Sequence, residues 1–259
     1  MKNKKTTIIV ISVMVTYLIL AIVLFGFDNF KNKIYTINIM LSTGDKIGLK
    51  DGKWVDIDDE KEYNWNKFDI YIDNNYFGKY DLLYNNGWHI YDKNEQLIEY
   101  DGRLLGIDSN IKYEVIDFKE EDFDSTGETL LKSILSDENI PYPKEFTYAK
   151  KVVLDVDGDS NEESIYTVSN AFTYEGLNKK FSLLFIYDNG LEILYKKYVD
   201  SKDQYDLCVP KLNSIIDLNK DSKYEIIIEC NYYSTMGTCT SLYELVNGKY
   251  KLLKNCKEE

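Results

Sequence analysis

The sequence predicts a mainly β protein: an N-terminal transmembrane helix, an antiparallel β domain, one connecting helix and two similar β repeats. Three observations support this prediction. The chain opens with a long uncharged apolar run, its middle has Asp-Gly and Asn-Gly pairs between β-forming runs, and its last part repeats an acidic loop. From these features we divide the 259-residue chain into four segments: 1–27, 28–124, 125–143 and 144–259.

The first segment contains "IIVISVMVTYLILAIVLFGF", the 20 uncharged residues Ile8–Phe27. A helix of this length spans about 30 Å, the thickness of a bilayer's hydrocarbon core. Three lysines precede the run and Asp28 follows it, so the positive-inside rule leaves a short cytoplasmic tip and puts the remainder outside. We therefore expect a single-pass signal anchor in the cell membrane with an extracellular C-terminal part. The alternative is a cleaved signal peptide, whose apolar region is usually only about 7–15 residues long.

The part after the anchor is strongly acidic. The whole chain has a net charge of −13, and the first 27 residues carry three lysines and no acid, which leaves −16 for the remainder. This charge disfavours nucleic acid or an anionic membrane surface as the partner of that part. It favours cations, a basic cell-wall polymer or an extracellular protein.

The 28–124 segment has three turn signals: Asp51-Gly52, Asn86-Gly87 and Asp101-Gly102. Each lies between β-forming runs, and Asn-Gly and Asp-Gly supply the positive φ angles that two-residue hairpins need. We expect three hairpins in one antiparallel unit. The aromatic residues between them suit a sheet core better than a ligand-binding face; the tryptophans are Trp54, Trp65 and Trp88.

The connecting segment predicts a helix over Thr126–Ser136. Ser125 followed by Glu128 forms a capping-box pattern. Apolar residues then recur at helical spacing, namely Leu130, Leu131, Ile134 and Leu135. Pro141 and Pro143 follow and disfavour further helix.

An acidic loop, "LDVDGDSNEE", lies between two β-forming runs. Numbering Asp155 as position 1, an oxygen-bearing side chain occupies every odd position: Asp155, Asp157, Asp159, Asn161 and Glu163. Hard oxygen ligands at this spacing suit Ca²⁺, and Gly158 at position 4 lets the backbone turn. The loop is not an EF-hand, which needs Gly at position 6 and Glu at position 12. A solvated acidic turn without an ion is the alternative.

A second copy, "IDLNKDSKYE", begins 62 residues further along the chain. The equivalent positions are Asp217, Asn219, Asp221, Lys223 and Glu225. Each copy continues into a β run and then an Asn-Gly hairpin, at Gly190 and Gly248. A shared loop, strand and hairpin indicate an internal repeat.

These two loops resemble the calcium loops of FG-GAP/VCBS-type repeats, which occur in integrin α-chain propellers and in many exported bacterial proteins. The family pattern is Asp-x-Asp/Asn-Gly-Asp-Gly-x-x-Asp/Glu, and the similarity covers about residues 148–256. The resemblance implies blade-like four-stranded repeats and Ca²⁺ ligands at the five odd positions of each loop, with Asn161 and Lys223 contributing backbone carbonyls.

The second loop departs from the family pattern. Lys220 replaces the glycine and Lys223 adds a positive charge, so we expect the ion mainly in the first loop. Two repeats are too few to close a propeller, and the copies must pack on each other or on the first domain.

All four cysteines lie in the last 52 residues, where an extracellular location permits disulfides. Cys230 ends one β run and Cys239 begins the next, which predicts a Cys230–Cys239 bond and leaves Cys208 with Cys256. Free thiols are the alternative. A metal site is disfavoured, because there is no Cys-x-x-Cys pair and no nearby histidine.

The sequence lacks motifs for common enzyme chemistry. It has no Gly-rich phosphate loop, no His-Glu-x-x-His and no Gly-x-Ser-x-Gly, and His89 is the only histidine. We therefore expect a non-catalytic, membrane-anchored extracellular calcium-binding β module with a role in surface interaction or structure. The alternative is an extracellular glycan or cell-wall hydrolase with a carboxylate pair, although none of the 44 acidic residues is singled out.

Overall fold

The computed structural model describes residues 37–254, except 42, 58–66, 85–86, 172–178, 201–206, 219 and 233–236. This part of the chain is mainly β, with 18 strands in antiparallel sheets and one helix. No helix among these residues is both long and apolar enough to cross a membrane. The predicted anchor, Ile8–Phe27, lies outside the described residues, as do Trp65, Asn219 and Cys256.

The first sheet has eight strands in the order β3-β2-β1-β8-β4-β5-β6-β7. The strands are β1 Ile37–Leu41, β2 Lys46–Lys50, β3 Lys53–Asp56, β4 Lys67–Ile72, β5 Asn75–Tyr84, β6 Trp88–Tyr91, β7 Leu97–Ile98 and β8 Leu104–Ser109. The indole N–H of Trp88 donates to the Leu41 carbonyl at 2.7 Å, although three strands separate β6 from β1. The sheet therefore curls around its own core, which includes Phe68 and Ile90.

Two of the three predicted hairpins are confirmed. Asp51 and Gly52 have φ angles of 50° and 72° and join β2 to β3, and β5 pairs with β6 around Gly87. The hairpin at Asp101-Gly102 is wrong, because β8 pairs with β1 and β4 rather than with β7.

A different hairpin, between β4 and β5, turns at Asp73 and Asn74, whose φ angles are 48° and 65°. The Asp73 carboxylate accepts the Arg103 amide at 3.0 Å. A Cβ on Gly102 would lie 2.4 Å from an Asp73 carboxylate oxygen. Gly102 therefore permits close packing on that turn and does not form a hairpin turn of its own.

The helix, α1, spans Ser125–Asp137 and confirms the predicted element to within one residue at each end. Its N-cap is Asp124, not the predicted Ser125, and the Asp124 side chain accepts the Gly127 amide at 2.8 Å. The same carboxylate also accepts hydrogen bonds from Tyr166 at 3.1 Å and Lys151 at 2.9 Å. Both side chains belong to strands of a neighbouring β-sheet, and they hold Asp124 in the capping position.

Two five-stranded sheets form the rest of the structure. Their strands are β9 Glu114–Ile116, β10 Glu121–Asp122, β11 Tyr148–Leu154, β12 Glu163–Ser169, β13 Lys179–Tyr187, β14 Leu191–Asp200, β15 Val209–Asp217, β16 Glu225–Tyr232, β17 Gly237–Val246 and β18 Lys249–Lys254. The second sheet has the order β10-β11-β12-β13-β14, and the third has β9-β15-β16-β17-β18. We call β11–β14 the first meander and β15–β18 the second. Because β9 and β10 precede residue 125 and join these sheets, the division expected at 124/125 does not separate the sheets.

Three apolar cores stack these elements in layers. Helix α1 packs on one face of the second sheet, with Leu131 against Phe181 in one core. The other face packs on the third sheet, with Ile165 and Ile215 in a second core. The far face of the third sheet packs on the first sheet, where Ile227 shares a core with Ile39 and Ile107. The layers are therefore helix, second sheet, third sheet and first sheet.

The disulfide pairing differs from the prediction. Cys208 is bonded to Cys230, with Cα atoms 5.1 Å apart, so the predicted Cys230–Cys239 and Cys208–Cys256 bonds are wrong. Cys230 and Cys239 do lie opposite each other across β16 and β17. However, Cys208 lies just before β15, on the other side of β16, and is fully buried against Cys230. Cys239 is also disulfide-bonded, so the described residues include no free thiol.

Candidate metal centre

The first acidic loop connects β11 to β12. Leu154 and Glu163 are the last register pair of these strands, so the residues between them close a compact loop at the sheet's end. The backbone is left-handed at Gly158 and Ser160, with φ angles of 78° and 74°. Two left-handed residues so close together make the chain double back and bring alternate side chains to one side.

Backbone amides hold the aspartates of this loop in place. The two carboxylate oxygens of Asp155 accept the amides of Gly158 at 2.8 Å and Ser160 at 2.9 Å. The Asp157 carboxylate accepts the Asp159 amide at 3.1 Å. These bonds orient the carboxylates before any ion is bound, and they offset part of the repulsion between them.

The structure brings Asp155, Asp157 and Asp159 together. One carboxylate oxygen from each lies within 4.8 Å of the others. Two oxygens bound to one Ca²⁺ at about 2.3–2.6 Å can lie up to about 5 Å apart. The triad can therefore hold a metal ion, and its all-oxygen donor set suits a hard cation. Asp155 and Asp157 are half-buried, whereas Asp159 is exposed.

Glu163 lies beneath the loop and is only 3% exposed. One carboxylate oxygen, Oε2, accepts the Val156 amide at 2.7 Å. The other, Oε1, is buried and has no hydrogen-bond partner within the described part of the chain. Burial raises the pKa of Glu163, and the negative charges of Asp157 and Asp155 raise it further. A carboxylate in this position lacks positive charge in its surroundings, which a bound cation would supply.

The predicted ligand at position 7 of the first loop, Asn161, does not join the triad. Its side-chain amide donates to both carboxylate oxygens of Asp159 at 3.0 Å, and its backbone amide donates to one of them at 2.8 Å. Asn161 therefore fixes Asp159 by hydrogen bonds. None of these bonds involves the backbone carbonyl of Asn161, which is the predicted ligand atom.

The second loop, between β15 and β16, has a closely similar backbone arrangement. Three of its hydrogen bonds match bonds of the first loop at positions 62 residues earlier. They are Leu218 amide to Glu225 at 3.1 Å, Ser222 amide to Asp217 at 3.0 Å and Lys223 amide to Asp221 at 3.0 Å. The matching bonds are Val156 to Glu163, Ser160 to Asp155 and Asn161 to Asp159. The acidic spacing thus builds the same turn twice.

The side chains of the second loop differ from those of the first. Lys220, at the position of Gly158, has a φ of 59° and forms an ion pair with Glu114 of β9 at 3.1 Å. Burial raises the pKa of Glu225 to about 8, with Glu244 and Asp221 adding to the shift. Among the described residues only the first loop brings three carboxylates together.

The two loops contact each other. The sequence predicted packing between the copies as one of two alternatives, but not this contact between the loops. A Cβ on Gly158 would lie 2.5 Å from the carbonyl oxygen of Ser222. The Val156 carbonyl accepts the Tyr224 amide at 3.1 Å and the Tyr250 hydroxyl at 3.3 Å. Tyr250 is a site residue that sequence reasoning missed, because nothing in the pattern of β18 marks it as a neighbour of a loop 94 residues away.

Outside the loops, the aromatic residues mainly serve the core. Trp88 is buried and Trp54 packs against the core shared by the first and third sheets. The large exposed aromatic side chains of the first sheet are Tyr76 and Phe77 on β5. The bulk of the aromatic residues thus fits the predicted sheet-core role.

Comparison with known proteins adds no relative: no protein-family model, no curated protein and no solved structure matches this chain. The resemblance to FG-GAP/VCBS-type repeats therefore stays a prediction from the loop residues.

Proposed function

We propose that this chain is a non-catalytic, membrane-anchored extracellular module whose first acidic loop binds Ca²⁺. The observation that carries the proposal is the Asp155, Asp157 and Asp159 triad, whose oxygens lie within 4.8 Å of one another. The Oε1 atom of Glu163 beneath the loop supports it, because this atom is buried and has no hydrogen-bond partner among the described residues.

Calcium is the cation that suits this loop best. Zinc and copper sites in proteins normally include His or Cys ligands, and the triad offers carboxylate oxygens alone. Mg²⁺ requires ligands at about 2.0–2.1 Å in near-ideal octahedral geometry, whereas Ca²⁺ accepts longer and less regular coordination. A loop whose carboxylates are already fixed by backbone amides favours the more tolerant ion.

An extracellular location fits both the anchor and the disulfide. The uncharged run Ile8–Phe27 is long enough to span a bilayer. The Cys208–Cys230 bond suits an oxidising compartment. Extracellular calcium modules commonly bind with a Kd of about 10⁻⁴–10⁻³ M, and the acidic remainder of the chain favours a basic wall polymer or extracellular protein as partner.

Calorimetric titration of the full-length protein in detergent micelles, after treatment with chelator, tests the calcium site. We expect Ca²⁺ to release or absorb heat with a Kd of about 10⁻⁴–10⁻³ M, and Mg²⁺ to bind more weakly. Asp157→Ala should remove the binding, because it deletes a triad member. The control variant Asp221→Ala, at the second-loop position that corresponds to Asp159, should retain it. A wild-type titration without heat at any Ca²⁺ concentration would overturn the proposed site.

The location has a separate test. Protease added to intact protoplasts should shorten the 259-residue chain to a small membrane stub. Protection of the full-length chain would refute the orientation, and a secreted species starting near Asp28 would refute the retained anchor.

A further inference from the structure

We infer that the two acidic loops act as one unit, in which Ca²⁺ bound to the first loop stabilises the second meander through the Val156 carbonyl. This inference rests on the proposed calcium site. It adds a regulatory consequence that the site alone does not require: an ion bound to one meander stabilises the folded structure of the other.

Val156 is the junction between the loops. It lies between two triad members, Asp155 and Asp157. Its amide donates to the buried Glu163 at 2.7 Å. Its carbonyl accepts two hydrogen bonds from residues of the second meander: one from the Tyr224 amide at 3.1 Å and one from the Tyr250 hydroxyl at 3.3 Å. An ion that fixes both neighbouring aspartates also fixes the peptide groups on either side of Val156, and with them the direction of this carbonyl.

A second contact joins the loops independently of that carbonyl. Gly158 approaches the Ser222 carbonyl so closely that a Cβ at this position would lie 2.5 Å from its oxygen. Gly158 is also the residue whose amide is held by Asp155 at 2.8 Å. Movement of the triad therefore changes the packing surface on which Ser222 lies.

The coupling has a direction because the two loops differ in charge. The second loop has no triad of converging carboxylates among its described residues, and Lys220 pairs with Glu114 of β9 at 3.1 Å. Among the described residues, only the first loop offers three converging carboxylates to a cation. The ion therefore binds at the first loop, and the second meander receives its effect through Tyr224, just before β16, and Tyr250 of β18.

Hydrogen exchange measures this effect at one atom. If the Tyr224 amide exchanges only when the Val156 bond opens and the ion leaves, its exchange slows by the factor 1 + [Ca²⁺]/Kd. At ten times Kd this factor is about 11. The control is the Gln96 amide, held by Asp92 at 2.9 Å in the turn between β6 and β7, which should exchange at the same rate with and without Ca²⁺.

A pair of variants in the second meander tests the same coupling by its effect on Ca²⁺ affinity, because coupling between sites is reciprocal. Tyr250→Phe removes the hydroxyl bond to Val156, and we expect it to weaken Ca²⁺ binding at the first loop about fivefold. Tyr243→Phe is the matched control: it removes a hydroxyl bond of 3.2 Å to the Leu194 carbonyl, which lies outside both loops. This variant should bind Ca²⁺ with the wild-type Kd.

The outcomes separate the coupling from the calcium site itself. Wild-type binding heat, slower Tyr224 exchange and weaker binding in Tyr250→Phe alone support the inference. Binding heat with unchanged Tyr224 exchange, or equal Kd values for Tyr250→Phe and Tyr243→Phe, would overturn the coupling and leave the calcium site standing. An absence of heat in the wild-type protein would overturn both.

Discussion

The guanidinium of Arg103 donates a hydrogen bond of 2.8 Å to the carbonyl oxygen of Leu212, and so the chain's only arginine joins the first sheet to the third. Leu212 lies at an irregularity of β15, where the register with β16 shifts. A bulge leaves backbone groups without ladder partners. The neighbouring Asn213 carbonyl accepts the Asn74 side chain at 3.4 Å, and Asp73 accepts the Arg103 Nε at 3.3 Å. Arg103 and the hairpin turn of β4 and β5 thus supply hydrogen-bond donors for the backbone carbonyls at the bulge.

Replacing this arginine should weaken the contact between the sheets. We expect Arg103→Met to lower the free energy of unfolding by about 1–2 kcal/mol, because the charged hydrogen bond to the Leu212 carbonyl is lost. Urea denaturation measures the change. The control, Lys79→Met, removes an exposed ion pair of 3.8 Å with Asp69 and should cost less than about 0.5 kcal/mol. Equal losses in the two variants would contradict the assigned role of Arg103.

Glycine substitutions should separate the loop contact from backbone strain. Gly158 and Gly248 have nearly equal φ angles of 78° and 74°. A Cβ on Gly158 would meet Ser222, whereas a Cβ on Gly248 would have no atom of the described residues within 4 Å. Gly248→Ala should cost about 1–2 kcal/mol for the left-handed conformation alone. Gly158→Ala should cost at least about 1 kcal/mol more, because the loops must move apart. Unfolding in urea with chelator present tests this, and equal costs would argue against tight loop packing.

Glu225 should make stability depend on pH in the absence of metal. Its folded pKa of about 8 lies above the ordinary value of 4.5, so between these values the folded state holds a proton that the unfolded state has released. Stability should therefore fall as pH rises from about 4.5 to 8, by at most about 1.4 kcal/mol per pH unit for this group. Denaturation in chelator at several pH values measures the slope. Glu225→Gln should make the slope shallower, whereas Glu128→Gln, on the exposed face of α1, should not change it; a flat wild-type profile would refute the shift.

The N-terminus of α1 offers a test of the observed cap against the predicted one. Asp124→Ala should cost about 1–3 kcal/mol, because it removes the Gly127 cap and the acceptor for Tyr166 and Lys151. Ser125→Ala should cost less than about 0.5 kcal/mol. Thermal unfolding followed by circular dichroism compares them. A larger loss in Ser125→Ala would restore the capping box that the sequence suggested.

The disulfide assignment can be checked chemically. Mass spectrometry of unreduced peptides should find Cys208 linked to Cys230, whose separation of 22 residues predicts a stabilisation of about 3 kcal/mol. A Cys208→Ala/Cys230→Ala protein should lose about that amount in urea denaturation. A recovered Cys230–Cys239 peptide would refute the observed pairing.

Local chemistry explains which features the sequence predicted. Asp51-Gly52 needs only its own φ preferences to form a turn, and Leu131 and Ile134 need only the helical period to share a face. The spacing of Asp155, Asp157 and Asp159 likewise determines the turn through hydrogen bonds within the loop itself, and the structure brings their oxygens together.

The features that were mispredicted depend on which strands become neighbours. Asp101-Gly102 has hairpin residues, but β8 inserts between β1 and β4 and leaves it without a partner strand. The bond of Cys208 with Cys230 arises because the chain before β15 returns beside β16. The contact between Gly158 and Ser222 requires both meanders to be stacked, which no pattern within either loop encodes.

The short strands β9 and β10 also limit how this chain can be cut. Each lies beside the first strand of a meander, β9 next to β15 and β10 next to β11. A fragment that begins at α1 would lose both and would present two bare strand edges, whose free amides and carbonyls can pair with another molecule. Such a fragment should self-associate and precipitate during purification, so a soluble excised repeat unit has to start before Glu114.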